Sequence, residues 1–199
     1  MLDELLHRVS NHTPRTLETD RRFPEAAVLV PITRSDEPEL VLTLRASGLS
    51  THGGEVAFPG GRRDPEDPDL IFTALREAEE EIGLPPGLVE VIGPLSPLIS
   101  LHGIKVTPYV GVIPDFVEYL ANDAEIAAVF SVPLEFFRKD PREHTHRIDY
   151  QGHSWYVPSY RYGEYKIWGL TAIMIVELIN LLYDAKISLH QPPKSFINT

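Results

Sequence analysis

Arg76-Glu77-Ala78-Glu79-Glu80-Glu81-Ile82-Gly83-Leu84, preceded by Phe58-Pro59-Gly60-Gly61 and a short acidic loop, is the stretch whose reading decides the fold. In an α-helix successive residues turn by about 100°. With Glu77 at zero, Glu80 and Glu81 fall within roughly 60° on either side of it, while Ile71, Leu75, Ala78 and Ile82 gather about a quarter-turn or more away. One stripe is acidic, its neighbour is a core face, and Glu79 points to solvent. Like charges at three- and four-residue spacing cost about 0.2–0.5 kcal/mol a pair. Gly83 marks the helix end, so Glu80 and Glu81 also oppose the helix dipole, at roughly 0.3–1 kcal/mol each. Only Arg76 is close enough in sequence to compensate. An ordinary solvated helix face leaves this repulsion unrelieved. A hard divalent cation turns it into a binding site, because Mg²⁺ takes carboxylate oxygens at about 2.0–2.1 Å and keeps positions for water and phosphate.

Gly61, a loop carrying Asp64, Glu66, Asp67 and Asp69, and the run from Arg76 to Leu84 resemble the Nudix box, the signature of hydrolases that cut a nucleoside diphosphate linked to another group. Leu42-Thr43-Leu44-Arg45-Ala46, Gly54 and Phe58-Pro59-Gly60-Gly61 resemble the extra signature of the coenzyme A pyrophosphatase branch. Val106-Thr107-Pro108-Tyr109-Val110-Gly111, Glu125 to Leu134, and Trp168-Gly169-Leu170-Thr171-Ala172 are similar to that branch too, so the resemblance spans most of residues 25–183. It implies the Nudix fold, an α+β class with a mixed β-sheet sandwiched between α-helices. The expected divisions are an N-terminal helix and lead-in over 1–24, the Nudix hydrolase domain over 25–183 and a C-terminal tail over 184–199.

The resemblance also implies chemistry. Glu77, Glu80 and Glu81 are expected to hold Mg²⁺ or Mn²⁺, and Arg76 to orient a carboxylate through a salt bridge. Bound metal activates water, clamps oxygens and absorbs charge during hydrolysis of a diphosphate. Glu125 lies where other Nudix enzymes carry an additional glutamate, as ligand or general base; the plainer alternative is a surface acid beside Asp123. Arg45, Arg62 and Arg63 are the cations available for substrate phosphates, and the Gly60-Gly61 turn lets backbone approach metal or phosphate. His52 and His102 flank the expected site, in reach of phosphate or nucleobase, although a lone loop histidine is commonly structural. His144 and His146 have no evident third ligand and read as an exposed polar loop. Tyr109, Phe116, Trp155, Tyr160 and Trp168 are candidates to stack an adenine, with core packing the alternative for most.

The implied reaction is hydrolysis of coenzyme A or acyl-coenzyme A to 3′,5′-ADP and 4′-phosphopantetheine or its acyl form. ADP-ribose or another nucleoside diphosphate derivative is the alternative substrate, and a nucleotide-binding sensor without turnover the alternative class. Retention of all the acids of the helix speaks against a sensor. The chain departs from the pattern at two places. The box has a glutamate five residues after its glycine and eight before its arginine; here Glu66 keeps the first spacing and Pro68 occupies the second, leaving Asp67 or Glu66 to support the loop. Ser50 stands where the coenzyme A signature has a basic residue, which favours the alternative substrate.

Composition agrees with a single soluble enzyme. The 199 residues, 43% of them hydrophobic, suffice for one domain with a proper core. Absence of cysteine excludes disulfides, thiol catalysis and zinc-thiolate sites and fits the cytoplasm. The net charge of −11 argues against nucleic acid as a partner and requires local cations for a polyanionic substrate. Residues 1–13 read as a polar amphipathic helix rather than a secretory signal. Strands are expected over 26–32, 39–45, 88–93, 106–113 and 126–132, helices over 69–82 and 134–138, and a hairpin from 147–150 and 154–158 turning at Gln151-Gly152. The connection 96–105 is expected to line the site. The apolar run 167–182, interrupted by Glu177 and Asn180, falls short of about 20 apolar residues and reads as a buried or dimer-facing helix rather than a membrane span. By analogy with the family a homodimer is the expected partner state, and 191–199 reads as a loosely attached tail.

Overall fold

The structure, a computed structural model, describes residues 2–17, 21–48, 53–150 and 153–193. At its centre is strand β1 (Glu25–Arg34), preceded by helix α1 (Leu2–Ser10). Ala27 and Leu29 enter one core cluster and Val30 and Ile32 another, all without solvent exposure. A strand covered on both faces reads as an almost continuous apolar run, as this one does.

The neighbours of β1 build the site. Strand β2 (Glu39–Arg45) returns antiparallel, with Ile32 opposite Leu40. Strand β3 (Val56–Ala57) pairs with β2, and β4 (Gly60–Arg62) pairs antiparallel with β1, placing Gly61 opposite Ala27. Helix α2 (Leu70–Ile82) follows, then β5 (Glu90–Pro94), β6 (Leu98–Ile99) and β7 (Lys105–Pro114). Strand β7 runs parallel to β1 from Glu25 opposite Lys105 to Arg34 opposite Pro114, and β8 (Ile126–Pro133) pairs antiparallel with β2. Together they form one mixed eight-stranded sheet.

Helix α2 covers one face, its Ala74, Ala78 and Ile82 clustering with Ala27, Leu29 and Val41. After the short helix α3 (Leu134–Arg138), strands β9 (Arg142–Tyr150), β10 (His153–Tyr162) and β11 (Tyr165–Ile167) make a separate three-stranded antiparallel sheet. Helix α4 (Gly169–Tyr183) lies between this small sheet and the main one, its Ile175 and Ile179 sharing a cluster with Val30, Leu42, Val157 and Tyr160. Leu6 and Val9 of α1 join the same cluster. Being covered from two sides explains why α4 is apolar all round. It is a buried helix of the chain, and no helix among the described residues is long and apolar enough to cross a membrane.

The expected elements are present with shifted ends. The motif helix begins at Leu70, because Asp69 is its N-cap and accepts from the Phe72 N–H at 2.8 Å. Gly83 ends it in the left-handed region, with φ 66°. Strands β9 and β10 extend well beyond the expected hairpin arms; the Gln151-Gly152 turn itself lies outside the described residues, as do residues 194–199 of the tail. The short strands β3, β4, β6 and β11 are absent from the sequence reading, since two or three residues carry no periodicity. Replacing Asp69 by Ala removes the cap and should lower stability by about 1 kcal/mol, read from the urea midpoint; an unchanged midpoint would show that the cap contributes nothing.

Candidate active site

Glu81 is the most enclosed acid of the motif helix, its side chain only 4% exposed. Its Oε2 accepts the Gly60 N–H at 3.0 Å, and its Oε1 meets Arg45 Nη1 at 3.2 Å. Burial pushes this carboxyl up to about 7, against the opposing pull of Gly60 and Arg45, and the charges of Glu77 and Glu125 push the same way as burial. Glu77 lies one turn earlier on the same side, 17% exposed, with Oε1 3.0 Å from Arg76 Nη1. Burial raises its proton affinity too, Arg76 lowers it, and Glu80 and Glu125 add to the rise. Gly61 makes room for this carboxylate: a Cβ there would collide with Glu77 Cδ and both its oxygens. Gly60 is equally constrained, since a Cβ would strike the Ala27 carbonyl and the Val28 backbone.

The acidic stripe is not uniform. Glu80 is 59% exposed at the rim, drawn to Arg76 Nη1 at 3.1 Å. Arg76 is the hub beneath it. Its Nε and Nη2 each donate to an Asp67 oxygen at 3.1 Å, and Nη2 also donates to the Arg62 carbonyl at 3.2 Å. Asp67 is buried and additionally accepts from Thr73 Oγ1 at 2.8 Å and the Asp64 N–H at 3.0 Å. These bonds hold its carboxyl down at about 2, led by the Arg76 hydrogen bonds. Asp67 therefore takes the loop-supporting place; Glu66 is exposed. Spacing pointed at Glu66 and Pro68 because the loop carries an extra residue. Thr73, which the sequence reading missed, stands six residues beyond Asp67 and is wholly buried against it.

Glu125 reaches the site through a wrapped loop. The Leu120 and Asn122 N–H groups donate to the carbonyls of Ile82 and Glu81, so the segment after β7 folds around the end of α2. The Asn122 side chain then donates to Glu125 Oε1 at 3.3 Å, and the Ala46 N–H donates to the Glu125 carbonyl. Arg63 is occupied elsewhere, bonding the carbonyls of Asp67 and Pro68 and pairing with Glu25 at 3.3 Å, while the Arg62 side chain is exposed. Arg45 Nε is buried with no acceptor among the described residues. Ser50 and His52 lie outside the described residues. His102 sits exposed in the turn between β6 and β7, beyond Lys105, at the end of the sheet where β1 begins. The 96–105 connection thus borders that end of the sheet.

Among the aromatic candidates, Tyr160 is fully buried, its hydroxyl donating to Asp140 Oδ1, and Trp155 lies against His190. Phe116 and Trp168 are exposed, the latter under Lys166. The His144 and His146 rings meet edge to face at 4.6 Å. Among the described residues no group of three or more histidines and acids is drawn together closely enough to enclose an ion. The arginines explain this for the motif acids, since Arg76 and Arg45 each hold carboxylate oxygens directly. The donor set nevertheless fits a hard divalent cation: carboxylates alone, Glu81 buried, Glu77 half-buried and the two mutually repelled, beside a glycine cradle that a side chain would fill.

These features define a class. The NUDIX domain pattern matches residues 23–149. The chain belongs to the Nudix family, and it is a Nudix pyrophosphatase, an enzyme of a family that generally uses divalent metal ions. It is 44% identical over 177 residues to a protein of Enterobacter sp. (strain 638) named uncharacterized Nudix hydrolase NudL, spanning 89% of this chain and 92% of that one. A NudL of Cronobacter sakazakii is 45% identical over the same shares. Solved structures of a MutT/nudix family protein from Enterococcus faecalis (TM-score 0.56, 16% identity, 92% of this chain and 70% of that one) and of a NUDIX hydrolase from Alicyclobacillus acidocaldarius (TM-score 0.52, 18% identity, 87% and 100%) share the fold.

Asp67→Ala removes the buried acceptor of Arg76 Nε and Nη2 and of the Asp64 N–H, and should cost about 1–3 kcal/mol in urea denaturation. Because the folded carboxyl lies below its ordinary value of 3.8, its stabilisation is present above that pH and is lost as pH falls toward about 2. Wild type should therefore lose stability through that window more steeply than the variant; parallel profiles would remove Asp67 from this role.

Proposed function

We propose that the enzyme hydrolyses the diphosphate of coenzyme A or its acyl thioesters, releasing 3′,5′-ADP and 4′-phosphopantetheine or its acyl form, in the cytoplasm. The observation that supports this most is that two motifs meet on one carboxylate. Glu81 comes from the box, while its partners Gly60 and Arg45 come from the upstream stretch that resembles the coenzyme A signature. Glu77, Glu80 and Glu81 would hold Mg²⁺ or Mn²⁺, which when bound supplies water activation, neutralises phosphate oxygens and relieves the leaving group. Arg76 balances Glu77 and Glu80 and ties the helix to the Asp67 loop, so the acids are held before substrate arrives. Glu125, steadied by Asn122, is the general base that accepts the proton of the attacking water. Arg45, whose Nε lacks an acceptor among the described residues, and Arg62, exposed beyond Gly61, supply cations to the substrate phosphates.

A substrate panel tests the proposal: coenzyme A, acyl-coenzyme A, dephospho-coenzyme A, ADP-ribose and NADH, each with and without Mg²⁺. Preference for coenzyme A over ADP-ribose is the expected result. The reverse preference would move the enzyme to ADP-ribose or another nucleoside diphosphate derivative, as Ser50 suggests, and binding without turnover would make it a sensor. Glu81→Gln keeps the shape and removes a charge; turnover should drop by about two orders of magnitude with the circular dichroism spectrum unchanged. Near-normal turnover would remove Glu81 from the metal site.

A further inference from the structure

Away from the carboxylates, a groove of about 760 Å³ opens where residues 14–17 and 21–23 pass over the start of β1 and β7. In a chain of net charge −11 its described lining is basic: Arg15, Arg21, Arg22 and Lys105, with Glu25 the sole acid. Glu25 is neutralised in place, 3.2 Å from Lys105 Nζ and 3.3 Å from Arg63 Nη1. Arg15 and Arg22 make no ion pair among the described residues. Arginines with no ion-pair partner among the described residues give the described lining a positive potential in an acidic molecule.

The walls are fastened at both ends. The Arg15 N–H donates to Ser96 Oγ at 3.0 Å, Ser96 donates through Oγ and N–H to the Glu177 carboxylate, and His12 Nε2 lies 3.2 Å from the same group. At the other end the Lys105 N–H donates to the Pro24 carbonyl. Phe23, with the Arg21 guanidinium over its ring at 5.0 Å, and Tyr109 line the space, and Leu70 and Leu95 add apolar surface. Cations beside aromatic and apolar surface, in a space within the roughly 300–1,000 Å³ of small-molecule pockets, suit a phosphate attached to a base.

We propose that this groove is a second site, which binds a nucleoside phosphate independently of the hydrolytic centre. Its residue from α2, Leu70, lies about 10 Å along the helix axis from Glu77. Gly60, Gly61 and Arg45, which contact the catalytic acids, do not line it.

Isothermal titration of the full chain in EDTA, with ADP and with inorganic pyrophosphate, separates this site from catalysis. ADP should bind wild type more tightly than pyrophosphate does. The Arg15→Ala/Arg22→Ala double variant should weaken ADP at least tenfold, the single Arg22→Glu variant should weaken it likewise, and Glu77→Gln should leave it within twofold. Hydrolysis by the double variant with Mg²⁺ should stay within twofold of wild type. No ADP binding in EDTA, equal affinity in both arginine variants, or a loss confined to Glu77→Gln overturns the proposal. Pyrophosphate binding as tightly as ADP overturns the nucleoside part, and a parallel fall in hydrolysis places the ligand in the catalytic centre instead. Since the titrations require no turnover, they stand whichever substrate the panel favours.

Discussion

A carboxylate withdrawn from water near the C-terminal end of a helix meets three penalties together: lost hydration, an opposing dipole and neighbouring acids. Glu81 meets all of them, and what holds it is one backbone N–H at Gly60 and one guanidinium from Arg45. Both partners are delivered by the sheet. Gly60 is fixed by its pairing with Val28 on β1, and Arg45 stands at the end of β2 opposite Ile126 of β8. The acid is therefore positioned by four strands and a helix at once, and displacement of any of them is felt at its oxygens.

Arg76 plays the complementary part on the other side of the helix. Asp67, Glu77 and Glu80 all lie within 3.1 Å of its nitrogens. A single cation thus serves a structural acid and two site acids, coupling the loop before α2 to the charge state of the helix. Such a shared partner makes substitutions non-additive, because removing one acid frees the guanidinium to move toward the others. Arg63 extends the arrangement by bonding two carbonyls of the same loop.

Much of this was legible in the residues. The helix and its end at Gly83 followed from period and cap, and the joint presence of the box and the Leu42–Gly61 stretch pointed to one site. Other features were hidden for physical reasons. Which acid supports the loop depends on which carboxyl the backbone turns inward, and one extra residue changes that; only folding separates Asp67 from Glu66. Angles on a helical wheel put Glu80 beside Glu77 and Glu81 but say nothing of how far the sheet covers each, and Glu80 remains at the rim. The apolar run in α4 looked ambiguous because its covering, a second sheet, comes from distant strands with weak individual signals.

The parallel union of β1 with β7 joins residues 80 positions apart, and every residue of β1 has its partner there. As the polypeptide leaves the ribosome, that edge of β1 stays open until β7 has emerged, and a hydrophobic strand with an open edge invites pairing with foreign chains. Shortened products ending before Lys105 keep the whole motif helix yet lack the strand that shields β1. Such products would carry an open apolar edge, the geometry that favours aggregation over folding.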